Sequence, residues 1–291
     1  MTAAISIRGA PPLALPPGLH PDVPAHRYLA RELGVVRKTA LQYMAQSPLH
    51  YYTWATSTED EDTPSLSLGR ATHMALLEPE RFAQEYIMAP DFGPCRKTDD
   101  CGSEQAKINK TRRDEFRRVH ANHEVLSGAE GAALMGMVSA IQRHPKASRL
   151  LSGGLPEVTV AWADKETGLP CRLRADRYRP DLGAVIDIKS CRDASPRAFA
   201  RDVAKYGYGI QDTHYRAGFG AIGKEVRYFL YIAVESAPPH AVAIYTMRAV
   251  DIAITYGRVR ELMRTMADCV ATGSWPGFSD AIQELELPVW Y

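Results

Sequence analysis

Two charged residues interrupt an otherwise apolar, β-branched run: "AVIDIKS", Ala184 to Ser190, carries Asp187 and Lys189. Side chains alternate along a strand, so these two project from one face, about 6–7 Å apart. Upstream, in "LPCRLRADRYR", Asp176 shares a face with Arg172 and Arg174 by the same alternation. The short turn around "PDLG" makes the two segments neighbouring strands and so brings Asp176 beside Asp187. Two carboxylates that close repel unless a cation lies between them. A hard cation such as Mg²⁺ takes oxygen ligands and keeps several waters. A lysine within reach of a metal-bound water or a substrate phosphate then completes a site for phosphodiester hydrolysis. By itself the Asp-x-Lys triplet reads as an ion pair at a sheet end, satisfied by solvent. Asp176 at the hairpin offset makes the hydrolytic reading its equal.

The surrounding pattern supplies the elements. "EVTVAWAD", "LPCRLRADRYR" and "AVIDIKS" alternate with period two and are joined by the short turns "KETG" and "PDLG", which predicts an antiparallel three-strand meander. "SPRAFARDVAKYG" opens a helix with Ser195 as N-cap and Pro196 in the first turn. A second helix, about "GIQDTHYRAGFGAIG", follows, then strands in "EVRYFLYIAVE" and "HAVAIYTM", a long helix over about 249–272 and a tail with "LPVWY". The first half reads as helical. Residues 1–24 are a Pro-rich arm, expected to be disordered or loosely packed. Residues 25–55 read as helices interrupted at Gly34 and at Ser47-Pro48, and 57–65 as an acidic loop. A helix from Leu66 ends before Pro79, 89–103 is a polar loop, and 104–119 is a strongly charged helix. Ser127 and Glu130 form a capping box for a helix that packs through Leu134, Met137, Val138 and Ile141 and ends before Pro145. The expected architecture is α/β (α+β): a helical amino-terminal half, 25–150, feeding one mixed sheet flanked by helices, 151–291, in a single domain.

Composition narrows little. The chain has 291 residues, and 35 Lys+Arg against 34 Asp+Glu leave a formal net charge of +1, which neither announces nor excludes a nucleic-acid partner. Five scattered cysteines without a CxxC pair suggest neither a zinc ribbon nor a redox dithiol. No stretch has the length and apolarity of a signal peptide or membrane span, so a cytoplasmic protein with no membrane partner is expected.

In their order and spacing, Asp176, Asp187 and Lys189 resemble the motif of the PD-(D/E)XK nuclease superfamily, whose members have a restriction-endonuclease-like core. "QDTHY" places Gln211 and Tyr215 at i and i+4 on one helix face and resembles the QxxxY signature of the RecB-type branch. "GRATH" places His73 after Gly69, similar to that branch's GxxxH element, in which the histidine binds metal. "SPLHYY", "GRATHMALLEPERF", "EVTVAWADKETGLPCRLRADRY", "VIDIKS" and "YGYGIQDTHYRAGF" resemble, in order, blocks of the recombination exonucleases of the exodeoxyribonuclease VIII type, over about residues 38–235.

The resemblance implies a metal-dependent exonuclease acting on double-stranded DNA ends, 5′ to 3′, beside a single-strand annealing protein and as a closed homo-oligomer. It implies a metal held by His73, Asp176, Asp187 and the Ile188 carbonyl, with Mg²⁺ as the cofactor and Mn²⁺ as an acceptable substitute. Lys189 would orient the attacking water or meet charge on the phosphate. Gln211 and Tyr215 would position the DNA strand or hold Lys189, with a core role the lesser alternative for Tyr215. Arg172 and Arg174 are candidate phosphate contacts, since guanidinium suits phosphate geometry. Glu157 either reaches the metal through water or is an ordinary strand-start glutamate. The basic helix "KINKTRRDEFRR", interrupted by Asp114 and Glu115, reads as a solvated face before a DNA-channel lining, and Tyr51 and Trp54 as packing residues.

Two departures stand out. The superfamily's proline before the first aspartate is Ala175 here, and only Cys269 falls where some relatives carry three late cysteines, so no iron–sulfur cluster is expected. An endonuclease or repair nuclease of the same branch is the alternative within this chemistry, and a non-catalytic DNA-binding protein of the same fold the alternative outside it.

Overall fold

The period-two run forms three antiparallel strands, β4 (Leu155–Ala163), β5 (Pro170–Arg179) and β6 (Ala184–Cys191), in a computed structural model that describes residues 15–57, 63–97 and 102–286. Ahead of them lie β1 (Gly18–His20), α1 (Ala25–Leu29), α2 (Lys38–Met44), α3 (Pro48–Thr56), α4 (Pro64–Leu77), α5 (Pro79–Glu85) and β2 (Tyr86–Met88). These are followed by α6 (Ser103–Val119), β3 (Glu124–Leu126), α7 (Gly128–Arg143) and α8 (Pro145–Leu151). After the meander come α9 (Pro196–Lys205), α10 (Tyr208–Ala221), β7 (Tyr228–Glu235), β8 (Val242–Tyr245) and α11 (Ala249–Thr272).

Six strands form one mixed sheet in the order β1-β4-β5-β6-β7-β8, with β6 and β7 parallel and the other neighbours antiparallel. The parallel pair follows from the connection: a crossover through α9 and α10 returns the chain to the same end of the sheet. Both faces of the central strands are covered, which is why β6 and β7 read as nearly continuous apolar runs. Val185, Phe229 and Tyr231 pack with residues of α2, α3, α10 and α11. Ile186, Ile188, Ile232 and Val234 pack on the other side, with Leu77 of α4, Met137 and Ile141 of α7, and Leu151 of α8. The capping box of α7 is formed as its sequence predicts.

Several expectations are corrected. Residues 18–20 of the Pro-rich arm are not loose: β1 pairs with Thr159–Ala161 at the sheet edge; residues 1–14 lie outside the described residues. The first helix stops at Leu29 rather than at Gly34, because Val36 instead forms a parallel bridge to β5, accepting from Arg172 N at 2.9 Å and donating to Pro170 O at 2.8 Å. Helix α4 starts at Pro64, inside the expected acidic loop, with Thr63 as N-cap; residues 58–62 lie outside the described residues. The expected polar loop also contains residues, 98–101, that fall outside them, as do the last five of the tail. Helix α8 and the small parallel pair β2–β3 have no counterpart in the periodicity reading. Among the described residues, no helix is long and apolar enough to cross a membrane.

Candidate active site

The hydrogen-bonded ladder between β5 and β6 runs only over Arg177–Arg179 and Ala184–Ile186. One step further, where Asp176 and Asp187 come level, the Asp176 side chain takes over from the backbone: its Oδ2 accepts the Ile188 N–H at 2.7 Å. The same oxygen lies 3.3 Å from Nδ1 of His73 on α4, and His73 Nε2 donates to the Ile188 carbonyl at 2.9 Å. The registers on either side, Pro156 with Arg177 and Val158 with Ala175, set Glu157 opposite Asp176. Glu157 adopts φ 49° within β4, a left-handed conformation uncommon for a residue with a Cβ. One ligand atom each from His73, Glu157 and Asp176 lies within 4.8 Å of the others.

Asp187 is 1% exposed and points to the α10 side of β6. Its Oδ2 pairs with Lys189 Nζ, and its Oδ1 accepts from Gln211 Nε2. Tyr215, one turn along α10, donates its hydroxyl to the Arg174 carbonyl at 2.7 Å. Helix α10 therefore holds β5 and β6 together at the point where their ladder ends. It approaches that closely because of Gly218: a Cβ there would lie 2.5 Å from Trp162 and 2.6 Å from Leu173.

The charges are crowded and sort themselves. Burial lowers the proton affinity of His73, but Asp176 outweighs it and the imidazole pKa rises to about 9. Burial raises Asp176, yet His73, Lys189 and the Ile188 N–H bring it below the usual carboxylate range. Glu157 is pushed up by burial and then by Asp176. Asp187 is pushed up by burial, which Lys189 opposes and Asp176 reinforces. A cation relieves this crowding.

Carboxylate, imidazole and carbonyl donors are those that Mg²⁺ or Mn²⁺ accept, and Gln211 Oε1 nearby is buried without a hydrogen-bond partner. The residues fit such an ion. His73, Glu157, Asp176 and the Ile188 carbonyl would hold it, and binding would expel the extra His73 proton.

The structure thus brings His73, Asp176 and Ile188 together and adds Glu157 as a direct member. Asp187 lies within electrostatic reach of Asp176 and His73, beside the three-residue cluster; its Oδ1 accepts from Gln211, and its Oδ2 is ion-paired with Lys189 without a hydrogen bond. Arg172 and Arg174 are a correction as phosphate contacts. Arg172 is 3% exposed and holds Glu32 at 2.5 Å and the Ala30 carbonyl at 2.6 Å. Arg174 holds Glu157 at 2.5 Å and the Val23 carbonyl at 2.6 Å. They fasten the amino-terminal segment to the sheet. Gln211 and Tyr215 are also withdrawn from DNA, 5% and 4% exposed, and act on Asp187 and on β5. Tyr51 is buried, and Trp54 stacks on Tyr43 with centroids 5.2 Å apart. Sequence reading missed Lys38 and Tyr208, which stand beside Lys189; neither belongs to a spaced motif, and only the packing of α2 against α10 brings them there.

A sheet flanked by helices, with an acid cluster where two central strands part beside an Asp-x-Lys strand, defines a PD-(D/E)XK-type nuclease domain. The profile of a family described as a PDDEXK-like domain of unknown function (DUF3799) matches residues 38–288, and the chain belongs to that family. No curated protein matches the sequence. Among solved structures, a "Putative exonuclease" from Eubacterium rectale is 14% identical, with a TM-score of 0.59 over 92% of this chain and 96% of that one, which shows a common fold. A phage-related exonuclease from Haemophilus somnus, 13% identical with a TM-score of 0.33 over 63% of this chain and 92% of its own, is too distant to support an argument.

Proposed function

We propose that this protein is a divalent-metal-dependent exonuclease that hydrolyses phosphodiester bonds of double-stranded DNA from its ends, 5′ to 3′, in recombination. The observation that carries the reading is the His73–Glu157–Asp176 cluster one strand from the Asp187–Lys189 pair. Mg²⁺, when bound, supplies Lewis-acid stabilisation of the phosphate and a more acidic water. Lys189, steadied by Asp187, orients the attacking water or meets charge developing on the phosphate. Gln211 keeps Asp187 in register for that task, and Tyr215 fixes the strand that carries Asp176. The name of the Eubacterium rectale protein with the same fold favours an exonuclease over an endonuclease.

Linear and closed circular duplex incubated with Mg²⁺ test this. Loss of the linear form alone, abolished by EDTA, is expected; nicking of the circle makes the protein an endonuclease, and survival of both removes hydrolysis. The proposal extends to a closed homo-oligomer working beside a single-strand annealing protein. A net charge of +1 gives one protomer little hold on duplex, because affinity comes from phosphate neutralisation, whereas ring closure retains DNA by topology. A monomer by light scattering at working concentration, with distributive digestion, would remove that extension and leave the chemistry in place.

A further inference from the structure

Lys38 is the first residue of α2 and comes from the helical part of the chain, not from the strands that carry the acids. Its Nζ lies 5.4 Å from the centre of the Tyr208 ring. Lys189 Nζ lies 4.8 Å from the centre of the same ring. Tyr208, which opens α10, thus has two ammonium groups over its ring. Their circumstances differ. Lys189 is paired with Asp187. Among the described residues, no carboxylate or hydrogen-bond acceptor reaches the Lys38 ammonium, and the Tyr208 ring is its contact.

Half-buried ammonium groups ordinarily find a carboxylate or extend to water, because desolvating an unpaired charge is unfavourable. Lys38 does neither fully. Burial first, and then the like charge of Lys189, hold its pKa down to about 8, against the attraction of Asp187 and Asp176. It therefore stands in the field of the acid cluster as a cation held ready for an anion that the chain itself does not provide. On the reading given under Proposed function, the anion that reaches this site is a DNA strand, whose phosphates recur along its length. Lys189, tied to Asp187, serves the phosphate being cleaved, and Lys38 shares the Tyr208 ring with it.

We propose that Lys38 is a second phosphate-binding residue of the site, its ammonium contacting a non-bridging oxygen of the phosphate next to the scissile one, with Tyr208 as the ring that both lysines share. The contact holds the strand in register for hydrolysis and contributes to binding without entering the bond-breaking step. It rests on the reading of the protein as a DNA nuclease.

The test pairs protein variants with DNA in which one charge is removed. Blunt duplex oligonucleotides are made with all phosphates intact, or with a single uncharged methylphosphonate at the phosphate adjacent to the terminal bond, placed in turn at the 5′ and the 3′ end of one strand. Binding is measured in EDTA at several salt concentrations, and cleavage in Mg²⁺. Lys38→Met should bind the intact duplex roughly tenfold more weakly, with the slope of log K against log salt reduced by about one phosphate contact. Lys38→Arg should restore both, which separates loss of charge from loss of fold. In the cycle, one of the two methylphosphonates should weaken wild-type binding by the same factor and leave Lys38→Met unaffected. Unchanged binding and slope in Lys38→Met, or losses that add in the cycle for both placements, would overturn the proposal. If wild type cleaves intact duplex while either of those results holds, only the Lys38 assignment falls. If wild type neither binds nor cleaves it, the nuclease reading falls, and this assignment with it.

Discussion

Gln211 on α10 donates to the Oδ1 of Asp187 on β6, so a carboxylate only 1% exposed has one oxygen fixed by an amide and the other by Lys189. The helix, not the strand alone, decides which way Asp187 faces. That makes Gln211 a positioning residue, and the same helix reaches β5 through the Tyr215–Arg174 hydrogen bond.

Gln211→Ala should lower turnover on linear duplex by roughly 10–100-fold, the range seen when a partner that orients a site residue is removed, while duplex binding in EDTA persists. Gln211→Glu should do more harm, because it sets another carboxylate against Asp187. Wild-type turnover by the alanine variant would show that Asp187 needs no such support.

Lys189 and Asp187 form a largely buried pair, 15% and 1% exposed. Removing one partner of such a pair leaves an uncompensated charge and costs about 3–5 kcal/mol, whereas replacing both is far milder. Lys189→Met should therefore lose both turnover and thermal stability. The double variant Asp187→Asn with Lys189→Met should recover most of the thermal midpoint and none of the activity. Calorimetry on the three proteins separates the structural role of the pair from its chemical one.

Much of this was legible before any coordinates, and the parts that were not share a cause. Asp176, Asp187 and Lys189 lie on strands with clear alternation and a short turn, so local rules placed them. His73 and Gln211 sit on helices whose docking no local rule gives; the resemblance to a known family placed them near the site, but not their partners. Arg172 and Arg174 were misread because a surface-type side chain on an alternating strand reads as exposed, whereas the segment from Val23 to Glu32 covers that face. The position of Glu157 was right and its backbone unforeseeable, since a left-handed residue inside a strand leaves no mark on composition. Lys38 was invisible because its significance lies wholly in which helix packs beside it.

Glu157 should reveal its backbone strain when it is changed in two ways. At φ 49° a residue with a Cβ carries about 1–2 kcal/mol that glycine does not. Glu157→Ala and Glu157→Gly both remove the carboxylate and its pair with Arg174, so the difference between them is chiefly that of the backbone. Glycine should be the more stable of the two by about 1 kcal/mol, less than the full strain because the unfolded glycine chain is freer. Both should lose the rise in thermal midpoint that millimolar Mg²⁺ gives wild type, since ligand binding to the folded state is what produces such a rise. An unchanged Mg²⁺ shift in both variants would take Glu157 out of the metal site.

His214, between Gln211 and Tyr215 on α10, should make the fold sensitive to mild acid. Its ring is buried, lies 4.8 Å from that of Trp162 and donates through Nε2 to the Arg172 carbonyl at 3.2 Å. Burial drives its pKa from 6.5 down to about 4, with Arg172's carbonyl and Asp164 opposing only in part. Between those two values the unfolded chain takes up a proton that the folded protein refuses, so the contribution of His214 to stability rises with pH across that window and is lost on acidification. Asp212, raised to about 6 by burial, contributes in the opposite sense. From pH 7 to pH 5 the His214 loss amounts to about 2 kcal/mol. The Asp164–Arg260 pair, in which Asp164 is held at about 2, does not titrate in this range. Thermal midpoints measured across pH 5 to 7 should fall more steeply for wild type than for His214→Asn, whatever the absolute stability of the variant. Parallel curves would mean that His214 is protonated inside the fold and that its burial has no influence on the acid limb.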